Sequence, residues 1–146
     1  MPTGNFSRPR AVFTMSSIDN KRWKTQGITH FKNAFLWSLE GLAAAFKHEA
    51  AFRHELAVIL VLSPIALWLS YSMMDFVLLM GVLVLVLVIE LLNSAVEALA
   101  DVQTTAFNPG IKLAKDYGSA ATMLTMVLAG ATWMAMLLNR LQDATL

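Results

Sequence analysis

Four polar side chains descend one face of a stretch that is otherwise apolar. Within E-L-L-N-S-A-V-E-A-L-A-D, residues 90–101, the chain carries Glu90, Asn93, Glu97 and Asp101. At about 100° per residue these fall within roughly 80° of one another on a helix. The apolar run leading into them begins near Phe76. With a rise of 1.5 Å per residue, Glu90 sits about 21 Å past Phe76, inside a hydrocarbon core about 30 Å thick. A carboxylate at that depth costs about 2.5–3.5 kcal/mol on insertion scales and lines a site or a pathway. A helix end emerging into water accounts for Asp101 and in part for Glu97, but not for Glu90. Desolvation suits Glu90 to general-base work. Glu97 is a hard oxygen donor of the kind Mg²⁺ takes alongside substrate phosphates.

The elements that must hold this stripe follow from composition. The chain has 146 residues, 57% hydrophobic and 14% charged, the profile of an all-α integral membrane protein. It contains no cysteine, so disulfides and thiolate metal sites are excluded. A net charge of +1 gives no support to nucleic-acid binding. Residues 1–26, rich in Ser, Thr, Pro, Arg and Lys, read as a disordered cationic tail with no signal-peptide core. Residues 27–146 read as one membrane domain. A surface helix is expected over about 30–52, with Phe31, Phe35, Leu39, Leu42 and Phe46 on one face, lying in the membrane interface. Spans are expected at about 56–70, bent at Pro64, then 76–100 and 119–138. Trp68 and Tyr71 sit at the far end of the first span as interface anchors. Between the second and third spans, 102–115 reads as a polar loop with Asn108-Pro109-Gly110 as its turn signal. Gly118, Ala121, Thr125 and Ala129 form a small-residue stripe on the third span.

Glu49 falls in line with Phe31 on the wheel, on the apolar face of the surface helix, where a carboxylate needs a metal, Arg53 one turn later or a neighbouring helix. Eight of the eleven basic residues precede the first span, and Lys112 and Lys115 follow the second. The positive-inside rule then puts the N-terminus and the 102–115 stretch in the cytoplasm. Glu49, the stripe, Lys115 and Asp116 gather at that one membrane face. His48 and His54 read as headgroup contacts, and the three histidines lack a zinc-type spacing. Neither a Walker-type phosphate loop nor a nucleophile elbow is present. On residues alone, two readings stand: a lipid-directed phosphotransferase, and an ion-coupled membrane protein that uses the same carboxylates as a relay.

The stripe, followed by A-K-D-Y-G-S-A-A (114–121) and preceded by E-A-A-F-R-H-E (49–55), resembles the bacterial integral-membrane diacylglycerol kinases over roughly 27–141. The resemblance implies a homotrimeric bundle in the bacterial inner membrane, each subunit with an interfacial helix and three spans, and active sites shared between neighbours. It implies ATP and diacylglycerol as substrates and Mg²⁺ as cofactor. By the same resemblance Glu90 is the base and Asn93 joins it in catalysis, while Glu49 and Glu97 hold the metal. Glu49, Asn93, Glu97, Asp101, Lys115 and Asp116 face ATP, and Ser38, Arg53, Glu55, Glu90 and Ser119 face the lipid. Undecaprenol kinase is the nearest rival within the family. Departures from the pattern are His30 in place of an arginine, Asn33 in place of a lysine, Trp37 in place of a tyrosine, and A-F-N-P at 106–109.

Overall fold

The computed structural model describes residues 28–103 and 107–145; the tail expected over 1–26 lies outside them. Four helices follow in order: α1 (Ile28–His48), α2 (Ala50–Leu69), α3 (Met73–Gln103) and α4 (Pro109–Asp143). Among the described residues there is no strand. The chain divides into a unit ending at Leu39 and a larger one from Glu40 onward. In the first, Phe31 and Phe35 are exposed and Ser38 donates its hydroxyl to the Ala34 carbonyl at 3.0 Å.

Helices α2, α3 and α4 are each long and apolar enough to cross a membrane. At 31 residues, α3 is about 46 Å long, so it outruns the hydrocarbon slab. It is the central element, packed on α4 and α2, whereas α2 and α4 barely touch. One core cluster joins Ile59, Leu83, Val86 and Ala129; a second joins Ala66, Leu69 and Leu79. Trp133 packs on both and donates its indole N–H to the Leu79 carbonyl at 3.2 Å. Most other large apolar side chains point outward, as lipid-facing residues must.

The connections depart from expectation in two places, each for a local reason. Glu49 does not continue a helix to 52. Its backbone is extended (φ −100°, ψ 114°) and α2 starts at Ala50. Arg53 donates instead to the carbonyls of Phe46 and Lys47, at 3.2 and 3.3 Å, groups that the end of α1 leaves open. Secondly, the stretch expected as a loop to Lys115 is helical from Pro109. Asn108 is an N-cap whose Oδ1 accepts from the amides of Gly110 and Ile111, and proline takes the first helical position, where no N–H is needed. Pro64 lies inside α2, as expected of the first span. The α2–α3 turn is tight, as expected. Asp75 accepts from the amides of Tyr71 and Ser72, and Ser72 Oγ accepts from the Asp75 amide, a reciprocal cap.

Candidate functional site

The acidic stripe lies on α3 where that helix faces α4. Glu90 is 7% exposed, and the Thr122 hydroxyl on α4 reaches its Oε2 at 3.4 Å. The same hydroxyl lies 3.4 Å from the Gly118 carbonyl of its own helix. One turn on, Asn93 Nδ2 donates to Glu97 Oε1 at 3.1 Å. Asn93 Oδ1 is buried without a hydrogen-bond partner and abuts Gly118, where a Cβ would collide with it. At the end of the stripe Asp101 accepts from Lys115 at 2.5 Å, tying α3 to the first turns of α4. Both Asp101 and Glu97 place negative charge near that ammonium.

Glu55 on α2 brings a further carboxylate toward the same region. Both of its oxygens are buried and unpartnered, and it is near enough to Glu90 to feel its charge. Glu55 and His54 border a cavity of about 380 Å³ that runs between α2, α3 and α4 past Val58, Leu62, Leu83, Val86 and Met126 to Gly130 and Trp133. Its lining is almost wholly apolar, and Val86 lies one turn before Glu90. An apolar space bordered by the unpaired Glu55 carboxylate suits a ligand with a lipid body and a polar tip.

The other expected residues lie apart. Asp116 pairs with Lys112 at 2.5 Å, both exposed. Ser119 is exposed. Arg53 serves the α1 terminus, and Glu49 is half-buried at the α1–α2 break with no side-chain capping bond. The Arg53 side chain therefore does not pair with the Glu49 carboxylate: its guanidinium is taken up by the α1 carbonyls, while its backbone amide donates to the Glu49 carbonyl at 3.4 Å. Of the small-residue stripe, Gly118 and Ala129 meet α3, while Ala121 is exposed and Thr125 bonds its own helix at Ala121. Thr122, in register with Gly118 and Ala129, is the residue that sequence reasoning missed. Its signal was a hydroxyl four residues after Gly118.

The donors at the stripe are hard oxygens: the second oxygen of Glu97, the orphaned Asn93 Oδ1 and Asp101. That chemistry fits a small divalent cation completed by substrate phosphates. Among the described residues no three His, Asp or Glu side chains converge tightly enough to hold a metal.

A membrane bundle with a carboxylate stripe whose inner member, Glu90, is buried, beside an apolar cavity, fits a membrane-embedded enzyme acting on lipid. Residues 36–137 match the family described as prokaryotic diacylglycerol kinase. The diacylglycerol kinase of Haemophilus influenzae is 39% identical over 111 residues, 76% of this chain and 94% of that protein. That of Pseudomonas aeruginosa is 41% identical over 113 residues, 77% and 92% respectively. That of Escherichia coli K12 is 39% identical over 113 residues, 77% and 93% respectively. The chain belongs to the prokaryotic diacylglycerol kinase family and is a multi-pass membrane lipid kinase.

Proposed function

We propose that the chain transfers the γ-phosphoryl group of ATP to the free hydroxyl of diacylglycerol, giving phosphatidic acid and ADP, with Mg²⁺ as the assisting ion. The observation that carries this reading is Glu90: a carboxylate 7% exposed, held by Thr122, at the inner end of a polar stripe that leads to Lys115. The hydroxyl oxygen bonds to the γ-phosphorus, its proton passes to the Glu90 carboxylate, and the bond from that phosphorus to the β–γ bridging oxygen breaks as ADP leaves. Positioning and charge neutralisation supply most of the catalysis in such a transfer. Thr122 orients Glu90, and Asn93 fixes Glu97. When bound, Mg²⁺ neutralises the phosphate oxygens; Glu97 and Glu49 would hold it. Lys115, set by Asp101, adds a cation on the nucleotide side, with Asp116 nearby in sequence. Glu55 and Ser119 face the lipid or its entrance.

The working unit is a homotrimer with sites shared between neighbours. Two observations among the described residues support this: no three His, Asp or Glu side chains group to hold a metal, and the Glu49 side chain makes no capping bond. The catalytic domain is 27–146, in the bacterial inner membrane with the N-terminus cytoplasmic, because the basic residues cluster at that end.

The deciding assay offers the purified, reconstituted protein labelled Mg·ATP with diacylglycerol and undecaprenol in parallel. Phosphatidic acid is the expected dominant product. Undecaprenyl phosphate would overturn the substrate and keep the mechanism. No labelled lipid, with an ion flux that Glu90→Gln abolishes, would replace the kinase reading with ion handling.

A further inference from the structure

The end of the bundle opposite the acidic stripe carries a second polar feature. Arg140 stands in the last turn of α4, 25 residues after Lys115, hence about 37 Å further along the helix. Its guanidinium carbon is 4.4 Å from the ring centre of Tyr71 and 5.6 Å from that of Trp68, both within cation–π range. Stacking occupies the face of the guanidinium and leaves its N–H edge outward. Among the described residues that edge has no hydrogen-bond or ion-pair partner. Asp143 follows three residues later, a spacing at which Arg and Asp side chains on a helix are neighbours, yet the two form no ion pair. The stack holds the guanidinium toward the α2–α3 turn instead.

Arg140 and Asp143 line one cavity of about 470 Å³, together with Trp68, Tyr71, Leu141 and Ala144. From Trp68 a second cavity of about 190 Å³ continues between α2 and α4, lined by Ile65, Leu69, Gly130, Trp133, Met134 and Leu137. A cation and an anion that do not neutralise each other thus stand at the mouth of an apolar groove. That pattern is complementary to a zwitterion attached to hydrocarbon.

We propose that this end of the bundle binds a phospholipid with a phosphoethanolamine headgroup. The phosphodiester oxygens accept from the N–H edge of Arg140, a residue that can stack on a ring and bond phosphate at once. The primary ammonium donates to Asp143. The rings of Trp68 and Tyr71 lie at headgroup level, and an acyl chain follows the groove toward Trp133. A purely anionic headgroup leaves Asp143 facing like charge, and a quaternary ammonium has no N–H to give it. The apolar groove assigns the site to a lipid, not to a soluble phosphate ester.

The test is native mass spectrometry of the assembled protein offered phosphatidylethanolamine, phosphatidylglycerol and phosphatidylcholine with matched chains. Wild type should retain phosphatidylethanolamine over the other two by about fivefold, the upper end for one exposed ion pair, here the ammonium on Asp143. Arg140→Gln should lose retention of all three at this site. Asp143→Asn should bring phosphatidylethanolamine and phosphatidylglycerol to parity while both stay bound. Arg140→Lys separates a built site from general charge: it should weaken retention of all three lipids severalfold, because it keeps the charge without the planar fork that stacks and bonds phosphate at once. A wild type without preference, or Arg140→Lys and Asp143→Asn both behaving as wild type, would overturn the proposal. Displacement by an equal concentration of soluble phosphoethanolamine would overturn the lipid assignment. Label transfer by each variant reports that the protein remains assembled.

Discussion

Gly118 on α4 lies against Asn93 on α3 so closely that a Cβ built there would overlap Asn93 Oδ1. The missing side chain lets the two helices approach where Asn93 Nδ2 holds Glu97. Gly118→Ala forces the amide to turn and break that 3.1 Å bond. Because Asn93 can rotate away, the stability loss should be about 1 kcal/mol, the low end of overpacking. The larger effect should fall on metal use: a higher Mg²⁺ requirement with the protein still folded. A thermal melt and a Mg²⁺ titration on the same preparation check this, and an unchanged titration would remove Gly118 as a positioning residue.

Glu90 and Thr122 give a paired expectation. Glu90→Gln should lower turnover by about 10²–10⁴-fold, the range for loss of a general base, while the protein stays assembled. Thr122→Val removes the hydroxyl that reaches Glu90 and should cost about tenfold, the scale of one lost hydrogen bond to a charged group. Thr122→Ser should restore most of it. Single-turnover rates separate these from binding; a Thr122→Ser variant as slow as Thr122→Val would mean that packing, not the hydroxyl, matters.

How far the sequence disclosed this arrangement depends on range. The stripe and the three spans were legible because helical periodicity and hydropathy are local properties, and Glu90 was conspicuous as a charge in an apolar run. Partners across helices were not legible. Thr122 looks like any hydroxyl in a span until α4 is set against α3 in one rotation, and the small-residue stripe included Thr125 and not Thr122. The break at Glu49 left no trace in the wheel, because the apolar face runs through it; Arg53 reaching back to Phe46 and Lys47 is a tertiary contact. At Asn108-Pro109-Gly110 the same residues serve a turn or a helix start, and the capping bonds decide for the helix.

The Lys115–Asp101 pair is solvent-exposed, with the Asp101 side chain 70% accessible. An exposed pair contributes about 0–1 kcal/mol to stability, so Asp101→Asn should leave the melting temperature nearly unchanged. Its effect belongs to the nucleotide: an unanchored Lys115 should raise KM for Mg·ATP more than it lowers kcat, and the difference should shrink in high salt. An equal fall in kcat at unchanged KM would place Asp101 in the chemical step instead.

Arg53 is the clasp of the α1–α2 break. Its guanidinium serves the carbonyls of Phe46 and Lys47 at the end of α1, where cations are favoured. Arg53→Met keeps the stem and removes both bonds, and should destabilise the junction by about 1–2 kcal/mol, since bonds to charged groups are the stronger class. The cost should be local. Hydrogen exchange at residues 45–50 should accelerate, while amides in the middle of α3 keep their protection. Because the break also fixes where Glu49 stands, turnover should fall with a raised Mg²⁺ requirement, the same signature as Glu49→Gln but weaker. Faster exchange at the junction with an unaltered Mg²⁺ titration would show that Glu49's position does not matter to the metal, and would count against Glu49 as a ligand.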